Sequence, residues 1–218
     1  MKYTVAIVLL ISFNLQSFGQ EIHINEGQQK EVQTLFGNKK GFGGYLGMNL
    51  KMTEVNGQEA LLTGGELCFV LNRSFNIGFE GYGMVNEVRS NNLDYNSDRF
   101  FLQMGYGGLH LEPVIASEGL IHVTIPILLG AGGVAETSRP YWEEYNGEVI
   151  IDFDPYYHES DYFFVAEPGV NLELNVFKFM RLTAGASYRF TSDFDLGVVN
   201  RDDINGWNAN MGLRFGWF

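Results

Sequence analysis

The last fourteen residues, 205–218, read NGWNANMGLRFGWF, with Trp207, Met211, Leu213, Phe215 and Trp217 on one parity and Asn208, Asn210, Gly212 and Arg214 on the other. Successive side chains of a β-strand point to opposite faces, so this period of two predicts a strand with one apolar and one polar face. A run of this length suits a tilted strand crossing a bilayer.

Working upstream, the same pattern returns seven times, which predicts eight strands in all. The run at 178–191 sets Leu182, Ala184, Ala186, Tyr188 and Phe190 against Arg181, Thr183, Ser187 and Arg189. The run at 162–175 sets Phe164, Ala166, Val170, Leu172 and Leu174 against Glu167, Asn171, Glu173 and Asn175. At 41–53, Phe42, Leu46, Met48, Leu50 and Met52 oppose Gly43, Tyr45, Gly47, Asn49 and Lys51. The runs at 59–71 and 75–88 place Leu61, Leu67, Phe69, Leu71, Phe75, Ile77, Phe79 and Val85 on apolar faces, with Glu66, Glu80, Tyr82 and Asn86 opposite. Two Gly-rich runs, 99–112 and 120–135, are less regular, and Pro126 predicts a bulge in the second.

The connections alternate between short (72–73, 114–119, 176–177) and long and polar (89–98, 136–161, 192–204), as the two ends of an outer-membrane barrel do. The exception is Asn56-Gly57, a tight hairpin signal at an outer connection.

Composition bounds the rest. In 218 residues there are 27 Gly, 5 Pro and one Cys, which fits one domain of strands and turns. Residues 1–19 carry Lys2, an apolar run from Val5 to Ile11, and Ser17 and Gly19 at −3 and −1 of a cleavage site before Gln20, so they read as a signal peptide. Residues 20–40 show no alternation and read as a periplasmic segment; 41–218 read as the barrel. After the signal no apolar run of 18 residues exists, so a membrane-embedded form must be a barrel. Cys68 has no intramolecular disulfide partner and is expected to be buried packing. A net charge of −12 argues against nucleic acid and leaves divalent cations as candidate partners.

Periodicity alone does not say which face is outside, and a soluble secreted barrel that binds a ligand stays open as an alternative. The polar face decides for the membrane: it is crowded with Gly and Asn and carries Lys51, Glu66, Glu80, Glu112, Glu167, Glu173, Arg181, Arg189 and Arg214. Such a balanced set is expected to form a paired interior network in a barrel of eight strands, whose inside holds side chains and no open channel. A gated proton or ion path is the functional alternative for the same charges.

On these residues the chain resembles the small eight-stranded outer-membrane barrels of OmpA/OmpX-like architecture, and the uncharacterised outer-membrane β-barrel proteins that end in an aromatic. The resemblance spans 41–218 and is carried by Phe42-Gly43-Gly44-Tyr45, Met104-Gly105-Tyr106-Gly107-Gly108-Leu109, Glu167-Pro168-Gly169-Val170-Asn171-Leu172-Glu173-Leu174 and the ending Gly212-Leu213-Arg214-Phe215-Gly216-Trp217-Phe218. That ending looks like the signal read by the barrel-assembly machinery, with Gly212, Phe215, Trp217 and Phe218 as its marks and Met211 where the family has a polar residue. The resemblance implies an outer-membrane location beside lipid and lipopolysaccharide, and supplies no activity.

Catalytic, cofactor and metal residues are not expected. A barrel enzyme acting on envelope lipid would need a histidine near the outer rim, and only His158, beside Ser160 and Asp161, is placed for it. The acids Glu143, Glu144, Glu148, Asp152, Asp154, Glu159, Asp193, Asp195, Asp202 and Asp203, with Tyr141, Trp142, Tyr145, Phe153, Tyr156 and Tyr157, could bind Ca²⁺ or a surface partner, but their spacing matches no metal loop. The reading is therefore a structural or surface-interacting barrel, with a barrel enzyme or a narrow solute pore as alternatives.

Overall fold

The structure, a computed structural model, describes residues 41–93, 99–115, 119–137, 142–145, 148–151, 157–197 and 199–218. The expected signal peptide and the segment 20–40 lie outside the described residues.

The first two strands, β1 (Phe42–Val55) and β2 (Gln58–Leu71), are joined at Asn56-Gly57, whose φ values of 49° and 69° are those of the tight turn that matches strand twist. Next come β3 (Phe75–Met84), β4 (Val88–Leu93), β5 (Arg99–Ile115), β6 (Ile121–Thr124) and β7 (Ile127–Thr137). A separate hairpin of β8 (Trp142–Tyr145) and β9 (Glu148–Ile151) precedes β10 (Tyr157–Phe177), β11 (Met180–Thr191), a short α1 (Arg201–Ile204) and β12 (Gly206–Trp217).

All ladders are antiparallel, and eight staves form a ring: β1, β2, β3, β5, the β6 and β7 pair, β10, β11 and β12. The ring closes where β12 meets β1, from Gly44 opposite Trp217 to Thr53 opposite Asn208, so no edge is left unpaired there. The expected closed eight-stranded antiparallel up-and-down barrel is therefore the fold.

Two expectations need correction. Pro126 introduces no bulge. Val114 faces Thr124 and Leu111 faces Ile127, three residues apart on each strand, and Asn171 to Pro168 keep the same step on the other side. The proline removes one N–H from the ladder but adds no residue, so alternation continues across it; its own carbonyl still accepts from Gly169 at 2.8 Å.

The bulge sits instead at residues 85–87. Gly83 pairs with Gly105, whereas Val88 pairs with Leu102, so the β3–β4 stave spends two extra residues there. Asn86, expected on the inner face, is exposed, and its amide replaces the missing backbone partners by accepting from Leu61 N at 2.7 Å and donating to Glu59 O at 2.9 Å. An even number of inserted residues returns Val88 to the lumen.

Candidate functional site: the filled lumen and the apolar wall

The ring is built inside out relative to a soluble protein. Its outer wall exposes Leu46, Met48, Met52, Leu67, Phe79, Val170, Leu172 and Met211, while the buried set includes all nine of the charged residues expected inside. An apolar surface of that extent is unstable in water and favourable in hydrocarbon.

Aromatics border it at both ends. Phe42 stacks on Phe69 and Phe177 on Phe179 near Trp217, the end where the barrel begins and finishes. Tyr162 and Trp217 are each 81% exposed, and Tyr188 packs its ring against Trp207 at 5.2 Å near the end that carries the longer loops. Along β12, Trp207 and Trp217 are ten residues apart. A tilted strand turns that interval into about 25 Å along the barrel axis, the height of a bilayer-facing apolar band.

Inside, the lumen has two tiers. In the tier nearest Gly44 and Trp217, Arg214 donates from Nε to Glu66 at 2.7 Å and from Nη1 and Nη2 to Glu112 at 2.7 and 2.8 Å. Glu112 also accepts from Asn76 at 2.6 Å and Thr124 at 3.2 Å, and Glu173 pairs with His122 at 2.8 Å and Arg181 at 3.5 Å. Above them Lys51 lies 2.5 Å from Glu167, which also accepts from Tyr106 at 2.7 Å and Ser187 at 2.6 Å, and the ammonium rests 3.5 Å above the Tyr82 ring. In a water-poor interior such charges persist because each of these carboxylates has at least one donor.

The tier nearest the long loops is mainly apolar, with a buried Ser90–Glu136 hydrogen bond within it. Val55, Leu62, Val88, Leu102, Met104, Val134 and Phe163 pack with Leu196, Val199 and Ile204 of the last loop. That loop is folded over the mouth. Asn200 caps α1 in a reciprocal box with Asp203, Asn56 N donates to Asp203 O at 2.7 Å, and Arg189 Nε donates to Ile204 O at 2.7 Å.

The nine expected residues therefore do not form one network. Eight belong to the polar tier, whereas Arg189 lies under the mouth loop and meets that tier through the Tyr106 ring, 5.6 Å from its guanidinium, its two terminal nitrogens without a hydrogen-bond partner. Sequence reading missed His110, His122 and Glu136, all buried. Their even parity on β5, β6 and β7 was the available signal, obscured by the glycines around them.

Of the assembly-signal residues, Gly212 is buried against Asn49 and Thr183, Phe215 and Trp217 face outward, and Phe218 turns toward the lumen, stacked 5.5 Å from Tyr45 beneath Arg181. The side chain of His158 and those of the acids and aromatics between 141 and 157 lie outside the described residues. In the last loop the acids serve local structure: Asp193 and Asp202 pair with Arg201 at 3.2 and 3.6 Å, and Asp203 caps. They do not converge on a cation.

A different group brings potential ligand atoms together. Glu66, Cys68 and His110 each offer a ligand atom, and these lie within 4.8 Å of one another, all buried. Among the described residues this is the one such cluster.

No protein-family model matches the chain, and no curated protein matches its sequence. Among solved structures it is similar to the crystal structure of Neisserial surface protein A, with a TM-score of 0.50 and 8% identity over 80% of this chain and 96% of that one. Ail, the attachment invasion locus protein of Yersinia pestis, aligns at 13% identity and a TM-score of 0.43 over 81% of this chain and 100% of its own. At such identities the likeness concerns the fold. This chain thus has the fold of the small eight-stranded outer-membrane β-barrels, with an outer wall made to face lipid.

Proposed function

We propose that the chain is an exported barrel of the outer membrane, closed to solutes, with a structural or surface-interacting role carried by its longer loops. In this reading residues 1–19 are removed before Gln20, 20–40 stay on the periplasmic side with the strand termini, and the mouth covered by the last loop faces outward, beside lipopolysaccharide. The final strand, with Gly212, Phe215, Trp217 and Phe218, is what the assembly machinery reads.

The supporting observation is the lumen, filled twice over: by the ion-pair tier at one end and by the apolar plug under the last loop at the other. A solute pore needs a continuous wet path, and both tiers stand across the bore where it would run. An envelope enzyme is disfavoured by the same placement. His110 and His122 are inside the ring, paired with carboxylates rather than with a nucleophile near the rim.

The test is to refold the chain in detergent micelles, compare boiled and unboiled samples on a denaturing gel, and record conductance in planar bilayers. A mobility shift on heating with no conductance is expected. A chain that is folded and soluble without detergent, or one that conducts, sinks the reading. His158→Ala with unaltered lipid A keeps enzymatic action out of it.

A further inference from the structure

The buried charges of the lumen do not balance. Among the described buried residues of the polar tier, Glu66, Glu80, Glu112, Glu167 and Glu173 face three permanent cations, Lys51, Arg181 and Arg214, and two histidines, His110 and His122. The misfit is concentrated at one point. Glu66 on β2 stands directly opposite Glu80 on β3, a like-charge pair in register inside the barrel, where it is costly.

His110 lies against that pair, with Nδ1 at 3.2 Å from Glu80 and 3.9 Å from Glu66, and Nε2 at 3.6 Å from Glu112. The ring is fully buried, yet neither nitrogen makes a hydrogen bond of good geometry. Cys68 shares the site because of Gly78. Cys68, Gly78 and His110 are consecutive partners across β2, β3 and β5, and the glycine leaves no side chain between thiol and imidazole. A Cβ at Gly78 would stand 2.7 Å from Cys68 Sγ. A small internal cavity, lined by Glu66, Glu80, His110 and Arg214 among others, adjoins the cluster.

We propose that Glu66, Cys68 and His110, with Glu80 completing the set, bind one borderline divalent transition-metal ion of the zinc class inside the barrel. The donor chemistry selects that class: thiolate and imidazole discriminate against Ca²⁺ and Mg²⁺, which take oxygen only. The spacing agrees. Tetrahedral zinc with its usual bond lengths holds N and O ligands about 3.3 Å apart, against 3.2 and 3.9 Å from His110 to the two carboxylates, and the ligand atoms of Glu66, Cys68 and His110 all lie within 4.8 Å, so a small inward shift closes the set. Binding releases the Cys68 proton, adds positive charge between two opposed carboxylates and replaces the poorly aligned contacts of His110 with a directed bond. Arg214 keeps Glu66 in place through its Nε bond at 2.7 Å, an outer partner of the site.

The experiment refolds the full chain in micelles with Co²⁺ or Zn²⁺, against a chelator control, with the heat-dependent gel shift certifying folding of every sample. With Co²⁺ the expected result is the strong visible absorption of a four-coordinate ion together with a thiolate-to-cobalt charge-transfer band. Zn²⁺ is expected at one equivalent after desalting. Cys68→Ser removes the charge-transfer band, and His110→Gln weakens Zn²⁺ binding by more than about 100-fold, beyond what loss of an outer partner does. If a variant does not fold, the wild-type spectrum and protection of Cys68 from alkylation by Zn²⁺ decide. Folded wild-type protein that retains no metal overturns the site, and so does a cobalt spectrum that survives both substitutions.

Discussion

The two halves of the lumen solve one packing problem with opposite chemistry. Near Gly44 and Trp217, charged side chains fill the ring and satisfy one another through directed bonds, as Arg214 does with Glu66 and Glu112. Under the loops, Leu62, Val88, Leu102 and Phe163 fill most of it by shape, around Arg189 and the buried Ser90–Glu136 pair, and Ile204 and Leu196 of the mouth loop complete it. A polar tier tolerates loss of a member badly, since what remains is a buried charge; an apolar tier loses contacts and relaxes. If the last loop opens, the polar tier below it is expected to keep the bore blocked.

The largest expected effect comes from breaking the polar half. Arg214→Leu takes from Glu66 and Glu112 the guanidinium they share inside the ring and should lower stability by about 3–5 kcal/mol. Denaturant unfolding in micelles measures it. Adding Glu112→Gln should recover part of the loss; if the single variant unfolds like wild type, the tier is not held by charge. In the apolar half, Leu102→Ala should cost about 2–3 kcal/mol, the low end for a buried leucine, because its cluster includes the adaptable Met104 and the mouth loop. Equal losses from the two substitutions would remove the distinction between the tiers.

Most of this was legible in the sequence where alternation was uninterrupted. The runs at 41–53, 178–191 and 205–218 assign Tyr45, Lys51, Arg181 and Arg214 to the inside, and the buried faces of β1, β11 and β12 agree. What failed lay where backbone geometry is set by partners. Pro126 keeps its register because both neighbouring strands hold it, and Asn86 leaves the inner face because its amide substitutes for ladder bonds on β2. Neither is a property of the local sequence. The apolar plug was illegible for a related reason: Leu196, Val199 and Ile204 sit in a stretch that reads as a polar loop, and only closure of the ring gives them an interior to enter. His110 was hidden differently, by a Gly-rich strand whose faces could not be told apart until it was paired.

Between the tiers and the solvent stands the loop cap, where a smaller and local effect is expected. Asn200 accepts from Asp202 N at 2.9 Å and closes the reciprocal box with Asp203. Asn200→Ala should weaken that cap by about 1 kcal/mol. The loss should be confined to the mouth: faster protease cleavage within 192–205, with an unchanged heat-dependent gel shift and still no conductance. Conductance in this variant would mean that the apolar plug alone seals the barrel and that the polar tier does not.

The smallest effect belongs to the outer wall and tests which way the faces point. Gly83 lies on β3 with its missing side chain directed away from the lumen, and a Cβ there would meet nothing within 4 Å. Gly81 and Gly107 are likewise outward, whereas Gly78 on the same strand points inward, where a Cβ would reach 2.6 Å from Cys68 Cα. Gly83→Ala adds one methyl to a lipid-facing surface without strain, since its φ is not in the left-handed region. It should leave stability unchanged within about 0.5 kcal/mol, or raise it slightly through the entropy the unfolded glycine no longer has. Gly83→Asp at the same place separates lipid from water: it introduces an unpaired charge into hydrocarbon if the wall faces a bilayer, and is harmless if the wall faces solvent. Refolding yield in micelles for the Ala and Asp variants reads the difference, and equal yields would turn the barrel's faces back to the soluble arrangement.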